Sequence, residues 1–241
     1  MKILSMLGIL LFSLSCAERK KTEDNSANIL LFLSQTCGTV PVSTTAIGEA
    51  SRTSLDFSNC NYPSALPGFV VQNISSGLSG SSSASKMASI GTYGKDNEKV
   101  NLEVTFRLTT DSSNLDVLAL GSGEGINVSG HGFRITKDTI KTLNSQGLEG
   151  AFVNKPASVS TPVGTEKTYC LEIHKEGSGA HIFGWTQACS GVTRGTYDFD
   201  QEDVAPSPAG GKIALVLNKA ILTRLIISNG AIGTSGSLLG N

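Results

Sequence analysis

The stretch VNLEVTFRLTT, residues 100–110, constrains the fold more than any other in this chain. Its apolar residues Leu102, Val104, Phe106 and Leu108 fall on every second position, with Glu103, Thr105 and Arg107 between them. Side chains alternate across a strand, so this spacing gives one buried face and one wetted face. A helix would scatter the same residues around its axis. NLDVLALG, residues 114–121, repeats the pattern in shorter form, and GFVVQNI, KIALVLNKA and ILTRLIIS read as further strands. No segment longer than about ten residues carries a convincing helical period. Charged residues make up only 16% and there are 27 glycines, a balance that suits strands joined by tight turns. Short strands at spacings of ~8–12 residues predict an antiparallel sandwich or barrel.

The chain opens on MKILSMLGILLFSLSC. Lys2 supplies the positive start, and Ile3 to Leu14 form an apolar run too short to span a ~30 Å hydrocarbon core as a helix. This is an export signal, and polar sequence follows Cys16 at once. The arrangement resembles a bacterial lipoprotein signal of the looser, spirochaete-like kind, with Ser13, Leu14 and Ser15 before the cysteine. The resemblance implies lipidation of Cys16 after cleavage behind Ser15. It also implies an outer-membrane or cell-surface location, with the periplasmic face as an alternative. Two or more acyl chains anchor a protein stably where one does not.

The expected division is a signal over 1–15, an anchored tether over 16–28 and an N-terminal extension over 29–66. The extension packs on or leads into the sandwich, which spans 67–230, and a flexible tail follows over 231–241. Setting Cys16 aside leaves Cys37, Cys60, Cys170 and Cys189. An even number in an exported chain predicts two disulfides, with three pairings open. The local pairing, Cys37–Cys60 and Cys170–Cys189, needs the least chain rearrangement.

Net charge is −1, which gives no attraction to nucleic acid or to an anionic surface. Gly121, Gly123 and Gly125 lack the spacing of a dinucleotide fingerprint and no helix pattern follows them, so they read as hairpin turn. There is no G-x-S-x-G. Asp198, Asp200, Glu202 and Asp203 place hard oxygens close together, a Ca²⁺-type composition without the EF-hand pattern. No other cofactor is expected.

The passage TYCLEIHKEGSGAHIFGWTQAC, residues 168–189, reads as a hairpin. Glu172, His174 and Glu176 share one face, and the following Gly-Ser-Gly places Glu176 at the turn. On the opposite face, Leu171 and Ile173 are expected to meet Phe183 and Trp185 across the pair, which would leave the acidic face wetted.

Taken with VNLEVTFRLTTDSSNLDVLALGSG and KIALVLNKAILTRLIIS, this hairpin resembles the concanavalin A-like jelly rolls, in particular their laminin-G-like members. The resemblance covers a little over half the chain and rests on strand pattern. It implies an all-β fold of two packed antiparallel sheets, and a glycan or extracellular protein as ligand. Within the same fold, the family-16-type β-glucanases carry E-[ILV]-D-x-E, with the first Glu as nucleophile and the last as acid/base. EIHKE, residues 172–176, is similar at Glu172 and Glu176 but has His174 where the Asp stands and Lys175 on the face that should be core. Three readings stay open: a lipid-anchored binding module, a glycan hydrolase using Glu172 and Glu176, and a structural envelope protein.

Overall fold

The computed structural model describes residues 40, 42–47, 50–58, 66–72, 84–93, 98–150, 159–193 and 195–229. All belong to the compact unit Cys37–Asn241. The leader, Cys16, Cys37, Cys60 and the 231–241 tail lie outside the described residues. No described helix is long and apolar enough to cross a membrane.

Among the described residues, two antiparallel sheets of seven strands each make the domain. The front sheet runs in the order β1 (Val42–Ile47), β2 (Ala50–Asp56), β14 (Ala220–Ser228), β5 (Lys99–Leu108), β10 (Glu166–Glu176), β11 (Gly179–Trp185) and β12 (Phe199–Val204). The back sheet runs β3 (Phe69–Gln72), β4 (Ser85–Ser89), β13 (Lys212–Asn218), β6 (Asn114–Glu124), β7 (Asn127–Thr136), β8 (Ile140–Leu143) and β9 (Glu149–Gly150). The chain changes sheet between β2 and β3, on either side of β5, between β9 and β10, and on either side of β13. This is a jelly-roll β-sandwich. The corner from β13 to β14 is a single residue, Lys219, at φ +51°. Its carbonyl accepts from the Thr109 N–H at 3.0 Å and from the Ser113 hydroxyl at 2.6 Å. That brace holds a non-glycine residue in a backbone region it rarely adopts.

The alternation in β5 does what the sequence predicts. Val100, Leu102, Val104, Phe106 and Leu108 are all buried between the sheets. They meet Tyr169, Leu171 and Ile173 of β10, and Leu115, Val117, Phe133, Ile135, Ile213, Leu215 and Leu217 from the back sheet. Phe106 and Tyr169 cross edge to face at 5.4 Å, and Phe133 and Phe199 at 5.5 Å. Burying one such ring is worth about 1.5–3 kcal/mol. The Tyr169 hydroxyl is satisfied inside by Thr161 at 2.5 Å, and burial pushes its pKa up.

The stretch 43–65, which reads as turns, supplies all but the first residue of β1, and all of β2. Its strand signal is faint because Ser and Thr, in VSTTAI and ASRTSLD, blur the apolar alternation. Leu55 and Phe57 mark the inner face and are fully buried, with Val42 packed against the same core. Strand β4 begins at Ser85, inside a Ser-rich run that also reads as loop.

His131 shares the inner face of β7 with Phe133 and is fully buried. Neither ring nitrogen reaches hydrogen-bond geometry, although the Val204 and Pro206 carbonyls lie close enough to offset part of the cost of charging it. Burial dominates and pulls its pKa down. The unfolded chain therefore takes up a proton as pH falls below ~6.5 while the folded one does not. This contribution to stability is complete above ~6.5 and is lost on the way down to the depressed folded value, at up to about 1.4 kcal/mol per pH unit. Urea unfolding of His131→Leu is expected to show a correspondingly flatter stability profile between pH 7.5 and 5. An unchanged slope would show that His131 is not the residue responsible.

Candidate functional site

The turn of the β10–β11 hairpin fixes the site. Glu176 pairs with Gly179, so only Gly177 and Ser178 lie between them, and Gly177 sits at φ +54°. A glycine at positive φ in the first central position belongs to the primed turns that match strand twist. The register that follows pairs Cys170 with Trp185, Glu172 with Phe183, and His174 with His181. Phe183 and Trp185 therefore lie on the Glu172 face. This corrects the expectation that they meet Leu171 and Ile173, whose partners are Gly184 and Ile182. A slip of one residue in a period-two structure moves every side chain to the other face.

The outer face of the front sheet is consequently not a plain wetted surface. One row of neighbours across it reads Ser54, Ile226, Glu103, Cys170 and Trp185. Cys170, Phe183, Trp185, Cys189, Val192 and Ile226 form a second apolar cluster there, with Tyr197 packed against it. The loop after β11 folds back to build this cluster. The Cys170–Cys189 disulfide pins it. The Trp185 indole N–H donates to the Thr196 carbonyl at 2.7 Å. Asp198 accepts from the Thr186 backbone N–H and hydroxyl at 2.8 and 2.9 Å. Glu103, buried under the loop, accepts from the Cys189 N–H at 2.9 Å and lies 3.7 Å from Arg224.

Beside this cluster the face turns polar. Glu172 is fully buried; its carboxylate meets His174 Nδ1 at 3.2 Å and lies 3.8 Å from the Lys99 ammonium. The His174 and His181 rings stand edge to face at 4.9 Å, with Phe183 within 5.7 Å of both. His181 is flanked on both sides: Nδ1 faces Glu176 at 3.3 Å and Nε2 faces Asp200 at 2.5 Å. Tyr197, half-buried, closes the far side at 6.0 Å from His181.

The acidic run after the hairpin is not wholly loop. Residues 199–204 form the edge strand β12, which pairs Asp200 with Phe183 and so brings it to His181. A register shift against β11 lets Glu202 join the same group, within 4.8 Å. Asp198 braces Thr186 instead, and Asp203, at φ +52°, lies against the Gly177 turn. The four carboxylates named for Ca²⁺ are thus divided between three tasks. Lys99 and Glu103 join this face through the pairing of β5 with β10, and Tyr197 through the loop before β12.

The back sheet offers a cavity of about 270 Å³ against β4, β13 and the β6–β7 hairpin, lined by Met87, Val128 and Leu215 among others. Among the described residues its one titratable lining group is Lys86, which leaves the front sheet as the chemically richer face.

No family model matches the chain, and no curated protein matches it in sequence. Among solved structures it is similar to the carbohydrate-binding module CBM66 of Bacillus subtilis, at 10% identity over 82% of this chain and 94% of that one, with a TM-score of 0.36. It is also similar to the potassium-bound carbohydrate recognition domain of Emp46p, at 10% identity over 83% and 91%, with a TM-score of 0.41. A third is the Ca²⁺- and mannose-bound lumenal domain of VIP36, at 8% identity over 78% and 81%, with a TM-score of 0.35.

Proposed function

We propose that this chain is an exported, lipid-anchored binding module that takes a glycan or protein ligand on the outer face of its front sheet. The observation that carries the reading is the fate of the two carboxylates in EIHKE. A retaining glycosidase needs both acids facing one substrate, ~5–5.5 Å apart. Here Glu172 is fully buried and engaged by His174, while the Glu176 side chain is 46% exposed and turned to His181. One acid is closed off and the other is open, which suits recognition rather than double displacement.

The open part of this face combines Glu176, His174, Glu202 and the half-buried Tyr197 ring. Carboxylates accept hydrogen bonds from neighbouring hydroxyls, and an aromatic face packs against C–H groups. A polyhydroxylated ligand fits that pairing. The test is retention of the full chain on glycan and extracellular-protein arrays. Wild type is expected to be retained and Glu176→Gln with Tyr197→Ala to lose at least tenfold; equal retention would remove the ligand from this face.

Anchoring rests on Cys16, the first residue of the tether. Cys16→Ser is expected to move the protein from the membrane pellet to the soluble fraction. Unchanged partitioning would contradict lipidation at that residue.

A further inference from the structure

We propose that His174, His181 and Glu176 form a binding site for a divalent transition-metal ion, zinc foremost, on the outer face of the β10–β11 hairpin. The proposal does not depend on the ligand class argued above. The hairpin register places the two histidines directly opposite each other, and strand alternation puts Glu176 on their face, two residues beyond His174. One ring nitrogen of each histidine and one carboxylate oxygen of Glu176 lie within 4.8 Å of one another. Zinc bonds of ~2.0–2.2 Å in tetrahedral geometry place ligand atoms about 3.4 Å apart. His181 Nδ1 and Glu176 Oε2 already stand at 3.3 Å, close to that separation.

The surroundings of the two rings point the same way. A metal-bound imidazole usually donates its other N–H to a carboxylate, which fixes the ring and raises its basicity. Both histidines have that partner. Glu172, fully buried, faces His174 Nδ1 at 3.2 Å, and Asp200, also buried, faces His181 Nε2 at 2.5 Å. Binding through Nε2 of His174 and Nδ1 of His181 keeps both contacts intact. Two imidazoles and one carboxylate select zinc, copper or nickel. Calcium takes six to eight oxygens and has no use for the ring nitrogens.

A second grouping shares the same histidine through its other side: His181, Asp200 and Glu202. It has a single imidazole, and using it would take Asp200 from its orienting role. The three-ligand set leaves a fourth position for water or a ligand oxygen, and Glu176, being exposed, leaves that position open to solvent.

The test is calorimetric titration of the untagged, chelator-stripped full chain with Zn²⁺ alone, repeated with Ca²⁺. One equivalent of zinc is expected to bind, with no calcium heat. His174→Ala, a partly exposed change that leaves the core intact, is expected to abolish the signal. Glu172→Gln and Asp200→Asn are expected to weaken it about 10–100-fold, and Glu202→Gln to leave it unchanged. Circular dichroism and melting of each variant separate a lost ligand from a lost fold. Absence of zinc uptake by wild type would overturn the proposal. So would uptake that survives His174→Ala, or that disappears with Glu202→Gln.

Discussion

Replacing Trp185 by alanine is expected to destabilise the domain by about 3–5 kcal/mol, among the largest losses any single truncation here would cause. Trp185 is almost fully buried, yet it lies outside the main core. It stacks edge-on against Phe183 at 5.6 Å and against Tyr197 at 5.5 Å. Removing it empties the middle of the outer-face cluster and leaves the Thr196 carbonyl without its indole donor. At roughly 2–4 °C per kcal/mol for a domain of this size, the melting temperature should fall by around 10 °C. A loss alone does not say which face the ring occupies. The coupling between Trp185→Ala and Cys189→Ala does, because residues that pack together show interaction energies of ~0.5–3 kcal/mol. Independent effects would place the indole on the inner face and contradict the hairpin register.

The second large effect belongs to the disulfide. The Cys170→Ala, Cys189→Ala double variant is expected to lose about 3 kcal/mol, the stabilisation for closing a loop of this length. The two residues are 19 positions apart. The cost extends to function, because the bridge holds the loop whose Cys189 N–H satisfies buried Glu103. A loosened loop would leave that carboxylate dependent on Arg224 at 3.7 Å. Ligand retention should fall along with the melting temperature. A double variant that melts with wild type would mean the loop is held by Trp185 and Asp198 alone.

The strand pattern showed the sandwich because one face of each central strand must be greasy. Leu102, Val104, Phe106 and Leu108 read directly as core. The hairpin of β7 and β8 pairs Ile135 with Ile140, a register the turn between them sets. What alternation could not show is which face a partner strand turns inward. The two-residue turn at Gly177–Ser178 decides that, and it sent Phe183 and Trp185 to the Glu172 side. Both faces of β11 are buried, and His181 is the single polar side chain in GAHIFGW, too weak a mark to declare the answer. Strand β12 was hidden for a different reason. It is an edge strand with a register shift, and in FDQEDV only Phe199 and Val204 are apolar.

The site was legible in part. Glu172, His174 and Glu176 stood out by spacing, and the structure brings them together with His181. Asp200 was visible as an acid but not as a partner of His181, since that contact depends on β11 and β12 being neighbours. Glu103 and Lys99 contact this region from β5, whose outer residues looked like ordinary wetted positions.

A paired assay on soluble β-glucans with the full chain, reading retention and newly formed reducing ends in the same sample, separates a binding face from a catalytic one. A binding module that takes these glucans retains them and releases no reducing ends above the blank, in wild type and in Glu172→Gln alike. Reducing ends released by wild type and lost in Glu172→Gln would overturn the binding role and make EIHKE a catalytic strand.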